Sequence, residues 1–528
     1  MGATWVPVGI DLGTTFSVVA YLDAAGRPCT IPNREGDVIT PSVVLFDGSA
    51  VVVGKEAVKA APLEPDRVAD FAKRDMGNAT YSRKIGGEDL PPEVIQSLIL
   101  EKLKYDAEVR LGPITQAVIT VPAFFNEPRR KATQDAAQLA GLKALDIINE
   151  PTAAAIAFGY QVGFLNAAGE APREETILVY DLGGGTFDVT LMKISGTDFT
   201  AIGTAGDVYL GGIDWDRRIA DFVAEGFKKK HRGIDPRNDP AGLHRLLREA
   251  EDAKRTLSAR EQVTVSFEHV GQGLRLAITR AEFEDMTADL LDRTRFTVST
   301  VLKEAQLTWK DLTRVLVVGG STRMPMVCRM LEQESGMKVD QSLSPDEAVA
   351  HGAALYAGFL MERARSRAAN ATGSNASGAN AAPPAMRVRN VSSHNLGVLS
   401  KEVSTGRSVN AVIIPRNTVL PVTKGKRFKT HKAGQQTVAI NVIEGGDSSG
   451  KNATAIGKCV IRDLPPGLPE GTPVDVLFTY GENGRLQVRG RLPDLEIETK
   501  LDIERSSGLN DAKLQEWDQR LKNGLEVG

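Results

Sequence analysis

Two glycine-rich segments, each containing an aspartate, constrain the fold of this chain more than any other feature. VGIDLGTTFSVVAYLD runs from Val8 to Asp23, and YDLGGGTFDVTL runs from Tyr180 to Leu191. Glycine lets backbone N–H groups approach an anion without interference from a Cβ atom, and a neighbouring threonine adds a hydroxyl donor. Either segment alone is equally well explained by a hairpin turn. Two matched copies predict one phosphate site built from two halves.

The acids in these segments, Asp11 and Asp181, indicate that a cation accompanies the phosphate. A carboxylate beside phosphate is repelled unless a hard cation lies between them, and magnesium usually keeps several of its own waters. We therefore predict that both aspartates bind magnesium through water. The polyphosphate is predicted to contact the glycines and threonines of the two segments: Gly13, Thr14, Thr15, Gly183, Gly184, Gly185 and Thr186.

Composition excludes several classes of protein. A length of 528 residues predicts several domains, and a formal net charge of −3 gives no global attraction to nucleic acid or to an anionic membrane. Three widely separated cysteines argue against a disulfide framework, and the six histidines have no metal-ligand spacing. No apolar run is long enough to span a bilayer, and the N-terminus has no signal-peptide pattern. We expect a cytoplasmic location.

The pattern of hydrophobic residues divides the chain into four parts. Strand-like and helix-like runs alternate up to about Met361, which predicts an α/β domain. A polar stretch rich in Ala, Asn, Ser and Gly follows, from Ser366 to Pro384, and predicts a flexible tether. Strand-like alternation then predicts an all-β module, and Asn510 caps a final amphipathic helix that carries Leu514, Trp517 and Leu521. The predicted boundaries are 5–362, 363–389, 390–505 and 506–528.

One predicted helix carries four polar residues on a single face. Glu251, Lys254, Arg255 and Ser258 follow one another at positions i, i+3, i+4 and i+7. A solvated charged face is the ordinary explanation for this spacing. A ligand-binding face is the alternative, and the residues alone do not decide between them.

Five long motifs occur in an order that resembles one known family. VGIDLGTTFS, VITVPAFFNEPRRKATQDAAQLAGL, IINEPTAAAIAFGY, VYDLGGGTFDVTL and VVGGSTRMPMV are similar to those of the seventy-kilodalton heat-shock, or DnaK-type, chaperones. The resemblance is most specific over the first 360 residues and covers nearly the whole chain. It implies a two-lobed ATPase domain of the actin and hexokinase fold, followed by a β-sandwich substrate-binding domain. The residue pattern adds a short C-terminal helix after these domains.

The resemblance also implies roles for individual residues. Glu150 positions the attacking water, Lys73 lies near the γ-phosphate, and Thr186 and Asp188 face that phosphate beside Asp181. The ribose and adenine contacts fall on the helical face described above and on a strand-to-helix loop: Glu251, Lys254, Arg255, Ser258, Gly319, Gly320, Ser321, Arg323 and Asp346. Pro122 and Arg130 transmit the nucleotide state. The implied cofactors are ATP or ADP with magnesium, and potassium is a second candidate ion.

In the β module the resemblance implies a peptide pocket lined by Val398, Phe428, Val438 and Ile440. Core packing of a small sandwich explains these four residues equally well. Three features depart from the family. MRVRNV stands in place of a Leu-rich acidic linker, which argues against docking of the linker as a strand. Lys401 and His431 occupy the positions of apolar arch residues, which favours acidic or polar peptides, and a single helix replaces the long lid, which predicts rapid peptide exchange.

The preferred function is that of an ATP-dependent chaperone that binds unfolded segments and is assisted by a J-domain cochaperone and a nucleotide-exchange factor. The alternative is a regulatory or scaffold ATPase that acts on one dedicated protein partner. A small-molecule kinase is least favoured, because a kinase has no use for a β peptide-binding module.

Overall fold

The computed structural model describes residues 6–165, 174–371, 386–402, 405–462, 464–481, 484–495, 497–501, 504–505 and 508–525. Among these residues, no helix is both long and apolar enough to cross a membrane. Most of the predicted tether, residues 372–385, lies outside the described part of the chain.

The first lobe is a six-stranded sheet covered by helices. Its sheet has the order β3-β2-β1-β8-β9, with β4 paired to β2, and a smaller sheet has the order β6-β5-β7. The elements are β1 (Val8–Asp11), β2 (Phe16–Leu22), β3 (Pro28–Thr30), β4 (Thr40–Pro41), β5 (Val44–Asp47), β6 (Ala50–Val53), α1 (Lys55–Ala60), β7 (Val68–Ala69), α2 (Pro92–Leu111), β8 (Gln116–Val121), α3 (Glu127–Leu139), β9 (Lys143–Asn149) and α4 (Glu150–Gln161).

The second lobe is built around a sheet with the order β15-β10-β11-β12. A separate hairpin, β13 with β14, packs on its helices. The elements are β10 (Glu175–Leu182), β11 (Phe187–Ser195), β12 (Asp198–Asp207), α5 (Gly212–Lys230), α6 (Pro240–Ala259), β13 (Gln262–His269), β14 (Gln272–Thr279), α7 (Arg280–Met286), α8 (Ala288–Glu304), β15 (Arg314–Val318) and α9 (Pro325–Ser335). The next helix, α10 (Ala348–Ala371), returns to pack on α4 and on the sheet of the first lobe.

The two lobes repeat one strand arrangement. In each sheet an N-terminal hairpin, β1–β2 or β10–β11, is extended by a third antiparallel strand on one side. On the other side the first strand of the hairpin pairs in parallel with a later strand, β8 or β15. The two glycine-rich segments form the turns of these hairpins, so the repeated sequence motif corresponds to a repeated topology.

The segment after the tether docks on the second lobe as a strand. β16 (Arg387–Arg389) pairs in parallel with β12, opposite residues Asp198 to Thr200. Met386 and Val391, on either side of β16, are buried in the core cluster between the lobes. The expectation that MRVRNV would not dock as a strand is therefore wrong, because β12 offers a free sheet edge and the flanking apolar residues anchor the segment.

The predicted tether is also shorter than expected at its start. Helix α10 continues through Ala371, so residues 366–371 are helical rather than part of a flexible connection. Alanine is the commonest residue in this part of the stretch and is the strongest helix former.

The β module is a sandwich of two sheets. One has the order β18-β17-β20-β21-β25 and the other has the order β19-β22-β23-β24. The strands are β17 (Leu396–Lys401), β18 (Ser408–Ile414), β19 (Val422–Lys429), β20 (Val438–Gly445), β21 (Ala453–Ile461), β22 (Pro473–Tyr480), β23 (Leu486–Leu492), β24 (Ile497–Leu501) and β25 (Glu504–Arg505).

The last element, α11 (Asp511–Lys522), packs on the first lobe. Asn510 Oδ1 accepts a hydrogen bond from the Lys513 N–H at 2.9 Å, which confirms the predicted cap. Leu514 and Trp517 are buried in the core cluster of the first lobe, next to α3. The amphipathic pattern is therefore satisfied by packing on the first lobe.

Candidate functional site

The two hairpin turns face each other in direct contact. A Cβ atom added at Gly184 would lie 2.2 Å from Thr15 Oγ1, and one added at Gly185 would lie 2.3 Å from Thr14 Cγ2. Neither distance is compatible with a side chain at these positions. The glycines of the second segment therefore allow the threonines of the first to approach, in addition to exposing backbone N–H groups.

A cavity of about 910 Å³ opens between the lobes at these turns. Nearly all of the predicted nucleotide residues line it, although they come from distant parts of the sequence: Asp11, Gly13, Thr14, Thr15, Lys73, Glu150, Asp181, Gly183, Gly184, Thr186, Glu251, Lys254, Arg255, Ser258, Gly319, Gly320, Ser321, Arg323 and Asp346. Gly185 and Asp188 lie outside this lining. Gly185 packs behind the wall against Thr14, and Asp188 Oδ1 accepts a hydrogen bond from the Phe124 N–H at 2.9 Å.

Lys73 and Glu150 form a buried ion pair at the base of the cavity. Lys73 Nζ lies 2.6 Å from Glu150 Oε1, and their side chains are 3% and 10% exposed. Lys73 lies in a short 3-10 turn, and Glu150 is the first residue of α4, followed by Pro151 in the first helical turn. Glu150 is therefore both an acid at a helix N-terminus and the partner of a cation.

Four carboxyl groups are collected here beside this one lysine. Burial, with a further contribution from the charge of Glu150, raises the pKa of Asp11 to about 7 and that of Asp188 to about 8. Burial and the neighbouring acids also raise the pKa of Asp181 well above its ordinary value. Thr120 Oγ1 donates to Asp11 Oδ1 at 3.0 Å. Such a cluster holds an excess of acid that a nearby cation would offset. The described residues contain no group of three His, Cys, Asp or Glu side chains positioned to hold an ion directly.

The opposite wall of the cavity combines the predicted helical face with the strand-to-helix loop. The four predicted residues of α6 all line the cavity. Arg255 lies with its guanidinium carbon 5.4 Å from the centre of the Phe16 ring. Across from it, Arg323 Nη1 and Nη2 donate to the two carboxylate oxygens of Asp346 at 2.9 and 2.8 Å, which fixes the plane of the guanidinium.

Sequence reasoning missed two residues that hold the walls in position. Arg74 Nε donates to the carbonyl of Gly185 at 3.0 Å, and its Nη2 lies 2.5 Å from Asp214 Oδ2. Asp216 pairs with Lys254 at 2.8 Å, and burial raises its pKa to about 6. Arg74 directly follows Lys73, so its only signal in the sequence was a charge beside a predicted site residue. Asp216 is not next to any predicted site residue and had no such signal.

The predicted coupling residue Arg130 connects the cavity to the β module. Its Nη2 donates to Asn149 Oδ1 at 2.6 Å, next to Glu150, and its Nε donates to the carbonyl of Phe125 at 3.0 Å. A Cβ atom added at Gly484 of the β module would lie 3.0 Å from Arg130 Cδ. The Pro122 carbonyl accepts the Phe125 N–H at 3.1 Å, so Pro122 begins a turn that ends at Phe125. Arg130 supports this turn through its hydrogen bond to the Phe125 carbonyl.

The predicted peptide residues lie in the core of the sandwich or at its margin. Val398 and Ile440 are buried, whereas Phe428 and Val438 are half-buried against the same cluster. Core packing therefore accounts for the first two, and the other two are partly accessible.

Comparison with known proteins agrees with this geometry. The family model described as "Hsp70 protein" matches residues 7–86 and 78–524. The chain belongs to the Hsp70 family. Proteins described as "Chaperone protein DnaK" from Thermotoga petrophila, Thermotoga neapolitana and Thermotoga maritima are each 40% identical to it, over 98% of this chain and 85% of theirs.

Membership of the Hsp70 family confirms the main functional prediction. The chain is an ATP-dependent chaperone of the Hsp70 type with ATPase activity. The family also accounts for a two-lobed ATPase domain followed by a β substrate-binding domain. The lined cavity between the lobes is the candidate nucleotide site of this Hsp70.

Proposed function

We propose that this Hsp70 binds ATP with magnesium in the interlobe cavity and uses its hydrolysis to control an extended polypeptide in the β module. The facing hairpin turns are the observation that carries this proposal, because they bring two sets of glycine N–H groups and threonine hydroxyls to one place. The repeated topology of the two lobes supports an actin- and hexokinase-like arrangement, in which a nucleotide lies between two related halves.

Asp11 and Asp181 are proposed to hold the magnesium through water. The excess of buried carboxyl groups beside a single lysine supports a cation at this point. Magnesium would neutralise phosphate charge when bound. Potassium stays a prediction.

Glu150 is proposed to orient the attacking water, and Lys73 to offset charge that develops on the γ-phosphate. Their ion pair holds the carboxylate in one direction and keeps the ammonium in the cavity. Thr186 and Asp188 are proposed to complete this end of the site from the second hairpin, and the α6 face with Arg323 and Asp346 to hold the ribose and adenine.

The segment from Pro122 to Phe125 is proposed to transmit the nucleotide state. The Phe124 N–H donates to Asp188, and the Phe124 carbonyl accepts from His394 Nε2 of the β module at 3.1 Å. Ser393 Oγ donates to the neighbouring carbonyl of Ala123. A movement of Asp188 at the cavity therefore acts on the same peptide unit that the β module contacts.

An opening in the first sheet of the sandwich is proposed as the peptide site. Strands β17 and β20 pair over Leu396–Val398 and Val442–Glu444 only. Beyond this ladder, Leu399–Lys401 pair with β18 and Val438–Asn441 pair with β21, so their facing edges are not joined in the described residues. An extended peptide could bind these edges by backbone hydrogen bonds.

Unfolded polypeptide clients, a J-domain cochaperone, a nucleotide-exchange factor and a cytoplasmic location are proposed with this function. A regulatory ATPase with one dedicated partner stays the alternative. The deciding experiment measures ATP turnover with and without a library of unrelated peptides, in the wild type and in Glu150→Gln and Thr186→Ala. Stimulation by many peptides supports the general chaperone, stimulation by one partner alone supports the alternative, and no turnover by the wild type contradicts both.

A further inference from the structure

The opening between β17 and β20 lies in an unusually basic part of the chain. From Lys401 to Lys432 the sequence contains eight Lys or Arg residues and one acid, Glu402. The whole β module, residues 390–505, has 16 Lys and Arg against 12 Asp and Glu, whereas the complete chain has a formal net charge of −3. The positive charge is therefore local to this module and concentrated at one part of it.

Five of these lysines lie on β17, on β19 or in the connection from β19 to β20, and we call them the basic rim: Lys401, Lys424, Lys426, Lys429 and Lys432. Lys401 is the last residue of β17. Lys429 ends β19, and Lys432 lies in the connection that leads into β20 at Val438. Of the two strands beside the opening, β17 therefore ends in a lysine, and β20 follows a connection that contains one.

The other two rim lysines lie on the inner face of the second sheet. Side chains alternate along a strand, so Lys424 and Lys426 share a face with Phe428. That face is directed at the core, because Phe428 packs against the core cluster and Lys426 is in register with the buried Val476. Both lysines are nevertheless exposed, since β19 is the edge strand of its sheet. The margin of the sandwich is therefore open and positively charged.

All five rim lysines are exposed, and none forms an ion pair with a residue that the structure describes. This distinguishes them from Arg427 on the opposite face of β19, whose Nε lies 2.6 Å from Asp475 Oδ1. The rim charges are consequently available to a ligand.

We propose that the β module selects extended peptides in which acidic residues flank an apolar residue. The proposal rests on the peptide-binding function proposed above and adds its specificity. The apolar side chain would contact Phe428 and Val438 at the margin of the core, and the flanking carboxylates would lie against the basic rim. Unpaired exposed lysines attract carboxylates through water, so the preference weakens as salt screens it.

The test uses the full chain and three dye-labelled peptides with the same apolar centre, flanked on both sides by three Glu, three Gln or three Lys residues. Fluorescence anisotropy gives each Kd at low and at high salt. One exposed ion pair changes an affinity by a factor of about 1.5 to 5. We therefore expect the Glu-flanked peptide to bind about tenfold more tightly than the Lys-flanked one at low salt, with the difference falling below about threefold at 0.5 M salt.

A charge-reversed rim provides the second arm. Lys401→Glu combined with Lys432→Glu should lower affinity for the Glu-flanked peptide and raise it for the Lys-flanked one, while the Gln-flanked peptide changes little. Lys310→Glu, which reverses an exposed lysine of the second lobe, is the control for net charge. Equal Kd values for the three peptides, or the same shift in the control, overturn the selectivity and leave the peptide-binding function intact. If none of the three peptides binds, the proposed peptide site itself is wrong.

Discussion

Glu444 makes docking of the β module on the ATPase lobes sensitive to pH. The residue is 3% exposed, and its Oε2 accepts the Glu127 N–H at 2.8 Å, at the first residue of α3. Burial raises the pKa of Glu444 from 4.5 to about 8, opposed by the hydrogen bond from Glu127. Glu127 and Arg130 face it from α3, and Tyr480 faces it from β22. When the module undocks, Glu444 is exposed to water and its pKa returns towards 4.5.

The raised pKa of Glu444 determines whether docking strengthens or weakens as the pH changes. The docked state binds a proton that the undocked state releases, so docking is favoured at low pH and is weakened as pH rises through about 8. With pKa values of about 8 and 4.5, the contribution of Glu444 alone raises the docking constant about tenfold from pH 7 to pH 6 and about fiftyfold from pH 8 to pH 6, or roughly 2 kcal/mol. His394 acts in the opposite direction as pH falls through about 6.5, because burial lowers its pKa from 6.5 to about 4. This contribution is the same in the wild type and in a variant of Glu444, so it cancels in their comparison.

Hydrogen exchange of the Arg387–Arg389 strand measures this equilibrium, because its amides are protected only when the strand pairs with β12. The protection factor of this segment in Glu444→Gln is compared with that of the wild type at pH 6, 7 and 8, so that the chemical exchange rate cancels at each pH. Glutamine keeps an acceptor for the Glu127 N–H and removes the titration. We expect the ratio of wild-type to variant protection to fall about fiftyfold from pH 6 to pH 8.

Glu470→Gln is the matched control, since Glu470 is an exposed glutamate of the same module. Its protection should follow the wild type at every pH. A constant ratio of wild-type to Glu444→Gln protection across the three pH values would refute the reasoning.

Four further predictions concern the cavity and the C-terminal helix. Glu150→Gln should lower single-turnover ATP hydrolysis by at least about 100-fold, while the nucleotide affinity measured by calorimetry changes little. Glu251→Gln should mainly weaken nucleotide binding. Unchanged turnover in Glu150→Gln would contradict the role assigned to Glu150. Gly184→Ala should weaken nucleotide binding more than tenfold, because its Cβ would lie 2.2 Å from Thr15 Oγ1. Gly273→Ala, an exposed position of β14 where an added Cβ meets nothing within 4 Å, is the control that should bind as the wild type. Trp517→Ala should destabilise docking of α11 by about 3 kcal/mol, seen as faster amide exchange in residues 511–522, and equal exchange in variant and wild type would count against it. Deletion of residues 508–528 should leave peptide lifetimes comparable, since α11 packs on the first lobe, and a marked loss of retention would show a lid function.

The candidate nucleotide site was predictable from sequence because each half is encoded locally. Strand, acid, glycine and threonine follow one another within a dozen residues, and the repeat of that order reveals the second half. The helical face of α6 was visible as spacing alone, and only its position in the cavity favours a ligand-binding face over a solvated one. Arg74 and Asp216 escaped prediction because their partners, the Gly185 carbonyl and Lys254, are distant in sequence.

Docking of the β module and its preceding strand on the ATPase lobes was not predictable, because the residues responsible show no distinctive pattern in the sequence. Arg387–Arg389 contains a single half-buried apolar residue, Val388, and only the free edge of β12 makes it a strand. Glu444 ends an ordinary strand, and its burial depends on α3 from another domain. In both cases the structure depends on a partner, β12 or α3, that is distant in sequence. The pattern of residues within one segment carries no information about that partner.

Glu444 and the candidate nucleotide site both contact α3. We therefore expect protonation of Glu444 and binding of nucleotide to be linked. Glu444 caps the start of α3, and Arg130 one turn further on donates to Asn149, the neighbour of Glu150. If a nucleotide shifts the docking equilibrium, then by reciprocity protonation of Glu444 shifts nucleotide affinity by the same factor. A nucleotide that favours docking should therefore bind more tightly at pH 6 than at pH 8 in the wild type, and this pH dependence should decrease in Glu444→Gln. The contribution of Asp11, whose pKa of about 7 also lies in this range, is present in both proteins and cancels in their comparison.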